Sequence, residues 1–229
     1  MKIIRRALSS IKKRVYKNPR PSLNDLDRKL EKYLNFEHGF FIEAGANDGY
    51  SQSNTYFLEK KRRWRGVLVE GIPELFKKAK KQRANSVVHN CALVSSEFSD
   101  STVTMHYAHL MSVVEGSLKT EEEQAKHIKA GIGVQNLEKS YSIAVPARTL
   151  ESILDEFSNL PQINFFSLDV EGCELDVLKG TNLAKYRPKY ILVEARFFEE
   201  VNSFLESHNY EMIEKLSSHD FLFRAIESV

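Results

Sequence analysis

Four short segments of the sequence combine carboxylate or amide side chains with glycine or cysteine, and each follows an apolar run. They are residues 43–49 (EAGANDG), 70–71 (EG), 89–91 (HNC) and 169–172 (DVEG). A glycine lets a ligand approach the backbone closely, because it has no side chain. The acid of the second segment lies 21 residues after the last glycine of the first, a place where a carboxylate binds both hydroxyls of a ribose. This spacing indicates a nucleotide-like ligand between the first two segments.

Alternating strands and helices would bring these segments together. A buried parallel strand is predicted at 39–43, and further strands at 66–70, 86–94, 141–145, 164–170 and 190–194. Helices are predicted over 23–34, from Ser51 or Ser53 to 63, over 73–83, from Thr149, over 174–178 and over 197–207. Two last strands, 211–216 and 220–226, flank a short polar turn and should form an antiparallel hairpin. The pattern predicts an α/β fold with a doubly wound, mostly parallel sheet, whose carboxyl edge gathers the four segments.

Residues 95–146 interrupt this alternation. They include a half-exposed strand over 101–108 and a charged helix over 120–130, which the glycines at 131 and 133 are expected to close. An insertion of this size between sheet strands usually shapes a binding mouth or a lid. We assign residues 21–229 to one domain, in which the 95–146 insertion helps to select the substrate.

Charge is divided unevenly along the 229 residues. Residues 1–20 hold eight basic and no acidic residues, whereas the remainder holds 25 basic and 31 acidic residues. Apolar residues recur at helical spacing in this arm, namely Ile4, Leu8, Ile11 and Val15. We therefore predict a basic amphipathic arm over 1–20 that contacts an anionic membrane surface through residues 1–17. A basic tail, or a helix that docks on its own domain, is the alternative.

Composition excludes several classes of protein. No apolar stretch reaches 18 residues, so no spanning helix is predicted. Two cysteines form neither a disulfide framework nor a metal-finger pattern, and we predict no metal site from the spacing, although a divalent ion between Asp169 and Glu194 stays open. The acidic body has no RNA-binding signature, so no nucleic-acid partner is expected. We expect a cytoplasmic protein that is peripheral to the inner face of the membrane.

Longer segments carry a more specific pattern. They are FIEAGANDGYSQSNTYFLEK (41–60), WRGVLVEGIPELFKK (64–78), FFSLDVEGCELDVLKGTNL (165–183) and YILVEA (190–195). The first loop lacks the GxGxxG pattern of dinucleotide-binding proteins. In these segments the chain resembles the FkbM family of methyltransferases. The resemblance implies a Rossmann-like class I methyltransferase fold, S-adenosylmethionine as cofactor, and methyl transfer to a hydroxyl of a sugar, a glycan or a related natural product.

The resemblance also implies roles for individual residues. Glu70 would bind the ribose, the glycine-bearing loop the methionine part, Glu43 or Asp48 the ammonium, and Asn90 with Cys91 the adenine. The full set of predicted cofactor-binding residues is Glu43, Gly45, Ala46, Asn47, Asp48, Gly49, Glu70, Gly71, Asn90, Cys91 and Asp169. A hydroxyl acceptor needs a base to take its proton as the bond forms. The candidates are Asp169 or Glu171, with His89 third.

Two other functions are compatible with the same residues. An NAD-dependent sugar-nucleotide oxidoreductase also needs an acid after the second strand. A membrane-associated nucleotide-binding module without turnover would keep the fold and the arm. For Glu43 and Glu70 the structural alternative is that each carboxylate caps the N-terminus of a helix.

Overall fold

The computed structural model describes residues 18–108, 112–117, 120–135 and 141–226. Residues 1–17, on which the prediction of membrane contact rests, lie outside the described residues. None of the helices in the described part is long and apolar enough to cross a membrane.

The described elements follow the predicted alternation. The strands are β1 (Phe40–Ala44), β2 (Arg65–Val69), β3 (Val87–His89), β4 (Ala92–Leu93), β5 (Thr102–His106), β6 (Val113–Val114), β7 (Ser142–Arg148), β8 (Phe165–Leu168), β9 (Tyr190–Glu194), β10 (Tyr210–Lys215) and β11 (Asp220–Ala225). After a 3₁₀ turn (Leu23–Asp25), the α-helices are α1 (Leu26–Lys29), α2 (Glu31–Leu34), α3 (Tyr56–Arg62), α4 (Pro73–Gln82), α5 (Glu121–Gln135), α6 (Leu150–Leu154), α7 (Glu174–Lys179), α8 (Leu183–Tyr186) and α9 (Phe198–Ser207).

The main sheet has seven strands in the order β10-β11-β9-β8-β1-β2-β3. Its inner strands pair in parallel, and β11 runs antiparallel to both β9 and β10. All residues of β1 and β8 are buried, as expected for central strands that are covered on both faces. The predicted doubly wound sheet with its C-terminal hairpin is therefore confirmed, and the carboxyl ends of β1, β2 and β8 meet at one edge.

A second sheet of four strands, in the order β4-β7-β5-β6, contains most of the insertion. The single strand predicted over 86–94 is wrong, because the chain leaves the main sheet after β3 and joins the second sheet as β4. The Asn90 side-chain amide donates to the carbonyls of Glu70 and Gly71, at 2.8 and 2.7 Å. These bonds hold the chain in a turn between the two short strands.

Three helices differ from their predicted limits. The helix over 23–34 is interrupted near Leu30, and Asn24 and Asp25 adopt positive φ, yet its leucine stripe is buried as the pattern indicates. Helix α3 begins at Tyr56, later than predicted, and the Ser53 hydroxyl, which donates to Glu43, accepts a hydrogen bond from the Tyr56 N–H just before the helix. Helix α5 continues through the glycines at 131 and 133 to Gln135, so the prediction that they close it is wrong. Glycine inside a helix costs about 1 kcal/mol relative to alanine, which does not oblige a helix to end.

Arg83, just after α4, is fully buried and joins three parts of the fold. Its guanidinium donates to Glu43 of β1 at 3.0 Å and to Glu59 of α3 at 2.8 Å. It also donates to the Gly49 carbonyl at 3.2 Å and to the Thr55 hydroxyl at 2.7 Å. The loop between β1 and α3 is therefore fixed at both ends by one cation.

Replacing Arg83 with methionine should lower the free energy of unfolding by about 3–5 kcal/mol, because two buried carboxylates lose their cation. Urea unfolding followed by circular dichroism measures the change. The exposed Arg65 is the matched control, and Arg65→Met should stay within about 0.5 kcal/mol of the wild type. Equal stability of the two variants would contradict the role given to Arg83.

Candidate functional site

A cleft of about 920 Å³, open to solvent, lies at the carboxyl edge of the main sheet. Of the predicted site residues, those that line it are Glu43, Gly45, Ala46, Asn47, Glu70, Gly71, Cys91, Asp169 and Glu171. Four predicted residues do not line it, namely Asp48, Gly49, His89 and Asn90. The structure thus gathers the first, second and fourth sequence segments in one place, together with Cys91 of the third.

The loop after β1 approaches the bend after β8 backbone to backbone. Gly45 has φ +81°, and a side chain there would place its Cβ 1.8 Å from the Asp169 carbonyl oxygen. Only glycine fits such a contact without displacing the main chain. Asp48, in the same loop, accepts hydrogen bonds from the backbone N–H groups of Tyr50 and Ser51 at 2.9 and 2.7 Å. Asp48 therefore shapes the turn from outside the cleft.

Glu70, directly after β2, is 7% exposed and lines the cleft. Its two carboxylate oxygens accept hydrogen bonds from the backbone N–H groups of Asn47 and Ile72, at 2.7 and 2.8 Å. Burial raises the pKa of this carboxyl to about 7, against the opposing effect of the two backbone N–H groups. Each oxygen keeps a lone pair, so the oriented carboxylate can accept further hydrogen bonds from ligand hydroxyls.

Glu43, at the corresponding end of β1, has different partners. Besides the ion pair with Arg83, its carboxylate accepts hydrogen bonds from the hydroxyls of Ser53 and Thr55 at 2.8 and 2.6 Å, and from the Asn54 N–H at 3.1 Å. It borders the cleft but is held by the protein itself. An interaction of Glu43 or Asp48 with the cofactor ammonium stays a prediction.

The predicted adenine side of the cleft is bounded by Cys91 and by the second sheet. Cys91 is buried, and burial raises the pKa of its thiol to about 11, so it is a neutral, apolar wall residue. Met105 of β5 crosses over Gly71, where an added Cβ would meet the Met105 sulfur at 2.3 Å. Asn90 contributes indirectly by holding the Glu70–Gly71 turn, while Cys91 borders the cleft. Contact of either residue with adenine stays a prediction.

Sequence reasoning did not identify several cleft residues. They are Gln52, Asn54, Ala92, Leu93, Met105, Ser112, Val114, Ser167 and Cys173, among others. Met105, Ser112 and Val114 come from the insertion, which was expected to shape the mouth without indicating which residues do so. Asn54 donates to the Ser167 hydroxyl at 3.1 Å, and this contact across elements leaves no local pattern in the sequence.

Carboxylates concentrate around the bend after β8. A recess of about 440 Å³ shares Asp169 and Glu171 with the cleft and is also lined by Glu174, Glu194 and Arg196. Burial, followed by the charges of Glu194 and Glu171, raises the pKa of Asp169 well above its ordinary value. Burial and the charge of Glu194 raise the pKa of Glu171 to about 7, although Arg196 opposes this. The bend therefore holds acids that can keep or release protons near neutral pH.

Glu171 is held in a fixed position by its neighbours. Its φ is +55°, an uncommon conformation for a residue other than glycine, and such strain concentrates at functional sites. Its carboxylate lies 3.1 Å from the Arg196 guanidinium and 3.5 Å from the His127 imidazole of α5. The insertion helix thus meets the bend at the imidazole of His127. No group of three or more side chains arranged as metal ligands occurs in the described residues.

His89, the third candidate base, lies at the end of the edge strand β3 and does not line the cleft. Burial lowers its pKa, and its charged neighbours are Glu156 and Arg148. Its participation in proton transfer stays a prediction.

The residues present fit S-adenosylmethionine. An oriented acid after β2 suits two ribose hydroxyls, and Gly45, Ala46 and Asn47 of the loop after β1 line the cleft beside it. The apolar side chains of Val69, Leu93 and Met105 provide a surface against which an adenine ring can pack. The carboxylates of the bend lie on the same cleft, where a sulfonium would be attracted electrostatically.

Solved structures that are similar to this chain cover most of its length but share few identical residues with it. An Aquifex aeolicus SAM-dependent methyltransferase is 12% identical, with 87% of this chain and 88% of that chain covered and a TM-score of 0.42. A precorrin-6y C5,15-methyltransferase from Geobacter metallireducens is 12% identical over 93% and 92%, with a TM-score of 0.45. Aeropyrum pernix fibrillarin, with natively bound S-adenosyl-L-methionine, is 14% identical over 94% and 85%, with a TM-score of 0.44. At these values the similarities support no inference about activity.

A search of curated protein sequences gave no significant match. The sequence model of one protein family, the methyltransferase FkbM domain, matches residues 43–223. This range includes every strand from β2 to β10 and the four segments 43–49, 70–71, 89–91 and 169–172. The expected family, fold and cofactor are therefore confirmed. The chain belongs to the FkbM family of S-adenosylmethionine-dependent methyltransferases.

Proposed function

We propose that the protein is an O-methyltransferase that acts on a hydroxyl of a sugar, a glycan or a related natural product. The observation that carries this proposal is the position of Asp169. Its backbone carbonyl contacts Gly45 of the loop after β1. Its carboxyl group, whose pKa is raised, borders both the cleft and the neighbouring acidic recess. A base is thereby available beside the expected methyl donor.

The cofactor, when bound, supplies the methyl group on its sulfonium. Within this chain, Glu70 would hold the ribose hydroxyls, and the backbone of Gly45, Ala46 and Asn47 would border the methionine part. Met105 and Leu93 would cover the adenine ring of the cofactor. These residues orient the donor and exclude water, which is the main contribution that a protein can make to an in-line transfer.

A hydroxyl acceptor favours a carboxylate base over the other side chains of the cleft. Proton removal from a hydroxyl during bond formation contributes about 10²–10⁴-fold in rate. Asp169 is more deeply enclosed by other acids than Glu171, which is already paired with Arg196. We therefore assign proton removal to Asp169, and to Glu171 the role of raising the pKa of Asp169 through its negative charge.

The polar wall of the cleft is compatible with a saccharide. Side chains that can exchange hydrogen bonds with sugar hydroxyls line it, including Ser51, Gln52, Asn54, Ser112 and Ser167. The acceptor class itself is taken from the resemblance to the family. Family membership favours methyl transfer over the NAD-dependent oxidoreductase, and measurable turnover would exclude a module that only binds.

Glu70→Ala should weaken S-adenosylmethionine binding more than tenfold, because the ribose hydroxyls lose an oriented acceptor. Isothermal titration calorimetry measures the affinity. Glu74→Ala is the matched control, since Glu74 is exposed and lies only four residues away. Undiminished binding by the Glu70 variant would remove Glu70 from the ribose site.

Incubation with methyl-labelled cofactor and a panel of sugars, lipid-linked glycans and phenols should label a saccharide hydroxyl. Asp169→Asn should bind the cofactor normally and lose turnover by about 10²–10⁴-fold. Asp176→Asn, an exposed aspartate of α7, should retain turnover. Full turnover in the Asp169 variant would place the base elsewhere, and labelling of amines alone would contradict O-methylation.

The turnover number should rise with pH as Asp169 becomes ionised, over a range well above that of an ordinary aspartate. Because the negative charge of Glu171 raises the pKa of Asp169, Glu171→Gln should move this rise to lower pH. The exposed Glu199 gives the control Glu199→Gln, which should leave the profile in place. A shift to higher pH in the Glu171 variant would contradict the assignment.

A further inference from the structure

One asparagine of the cleft has an amide oxygen that the protein itself does not use. Asn54 lines the cleft and lies two residues before the start of α3. Its side-chain N–H donates to the Ser167 hydroxyl at 3.1 Å, and its backbone N–H donates to Glu43 at 3.1 Å. Its amide oxygen is buried and meets no donor within the described part of the chain. A buried acceptor without a donor destabilises the folded state, so such groups are rare and indicate a missing partner.

The fold determines how this amide is held. Glu43 of β1 and Ser167 of β8 are register partners in the parallel sheet, so their side chains leave the sheet on the same face. Asn54 bonds to both residues and therefore spans the two central strands near their carboxyl ends. The bond to Ser167, which is buried, uses the amide nitrogen and leaves the oxygen for another donor. The terminal torsion of asparagine is broad, so a small rotation turns this oxygen to the cleft.

The neighbouring carboxylates already have partners within the protein. Glu43 pairs with Arg83 and accepts hydrogen bonds from two hydroxyls. Asp48 accepts hydrogen bonds from two backbone N–H groups of its own loop and from the Ser51 hydroxyl. Asn54 therefore offers an acceptor at this end of the cleft that no internal contact occupies.

The charge of the cleft favours a cationic donor for this oxygen. Among the described residues, the charged ones that line the cleft are acids, namely Glu43, Glu70, Asp169 and Glu171. Their field attracts a positive group and repels a negative one. The methionine part of S-adenosylmethionine carries an ammonium, and this part is expected against residues 45–47, which line the same cleft as Asn54. An ammonium has three N–H donors, so it can supply the bond that the amide oxygen lacks.

We propose that the amide oxygen of Asn54 accepts a hydrogen bond from the ammonium of the cofactor. Ser167 is a positioning residue, because its hydroxyl holds the amide nitrogen. A hydrogen bond to a charged donor is roughly twice as strong as one between neutral groups. Asn54 thus anchors the methionine part, while Glu70 would hold the ribose. The inference rests on the cofactor of the family and does not depend on the acceptor or on O-methyl transfer.

Isothermal titration calorimetry with three thioether ligands tests this assignment. S-adenosylhomocysteine carries both the ammonium and the carboxylate, its decarboxylated form carries the ammonium alone, and methylthioadenosine carries neither. Asn54→Ala should bind the first two about tenfold or more weakly, because a hydrogen bond to a charged group is lost, and should bind methylthioadenosine like the wild type. The backbone N–H of residue 54 is kept in this variant, so its bond to Glu43 is retained.

Asn159→Ala is the matched control, since Asn159 is an exposed asparagine in the loop before β8, and it should bind all three ligands like the wild type. Undiminished binding of S-adenosylhomocysteine by the Asn54 variant would overturn the proposal. A loss for S-adenosylhomocysteine without a loss for its decarboxylated form would assign the amide to the carboxylate and would also overturn it. Equal losses for all three ligands would show a general disturbance of the cleft and would contradict a specific contact with the ammonium.

Discussion

The site depends on a buried cation, Arg83, which fixes the path of the loop between β1 and α3. Its guanidinium reaches a strand, a helix and the carbonyl of Gly49 at once. Buried ion pairs often add little net stability, because desolvation offsets the attraction, but removal of one partner is costly. The network therefore acts mainly by allowing one arrangement of the loop, and that arrangement presents the backbone at Gly45 and Ala46 to the cleft.

Glu43 and Glu70 show how surroundings give two equivalent carboxylates different roles. Glu43 is the penultimate residue of β1, Glu70 directly follows the neighbouring strand β2, and both border the same cleft. Glu43 faces a guanidinium and two hydroxyls, which hold it within the protein. Glu70 meets only backbone N–H groups, so burial raises its pKa to about 7 while its orientation is kept. A ligand hydroxyl can donate a further hydrogen bond to the Glu70 carboxylate, whereas the Glu43 carboxylate is already bonded to Arg83 and to two protein hydroxyls.

The sequence predicts those features that repeat or that follow from strand direction. The apolar runs of β1 and β8, the glycine-bearing loops and the C-terminal hairpin are of this kind. The break at Asn90 and the buried Arg83 depend on contacts with distant residues. In the sequence, Arg83 is indistinguishable from the lysines before it, which are exposed. Long-range packing, rather than local pattern, decides such positions.

The contact between Gly45 and the Asp169 carbonyl couples the two halves of the proposed chemistry. One loop would border the methyl donor and the other carries the base, and no side chain separates their backbones. A displacement of either loop must move the other, since packed interiors deform little. In the proposed chemistry this main-chain contact would set the geometry between donor and base, whereas the insertion reaches the bend separately, through His127 beside Glu171.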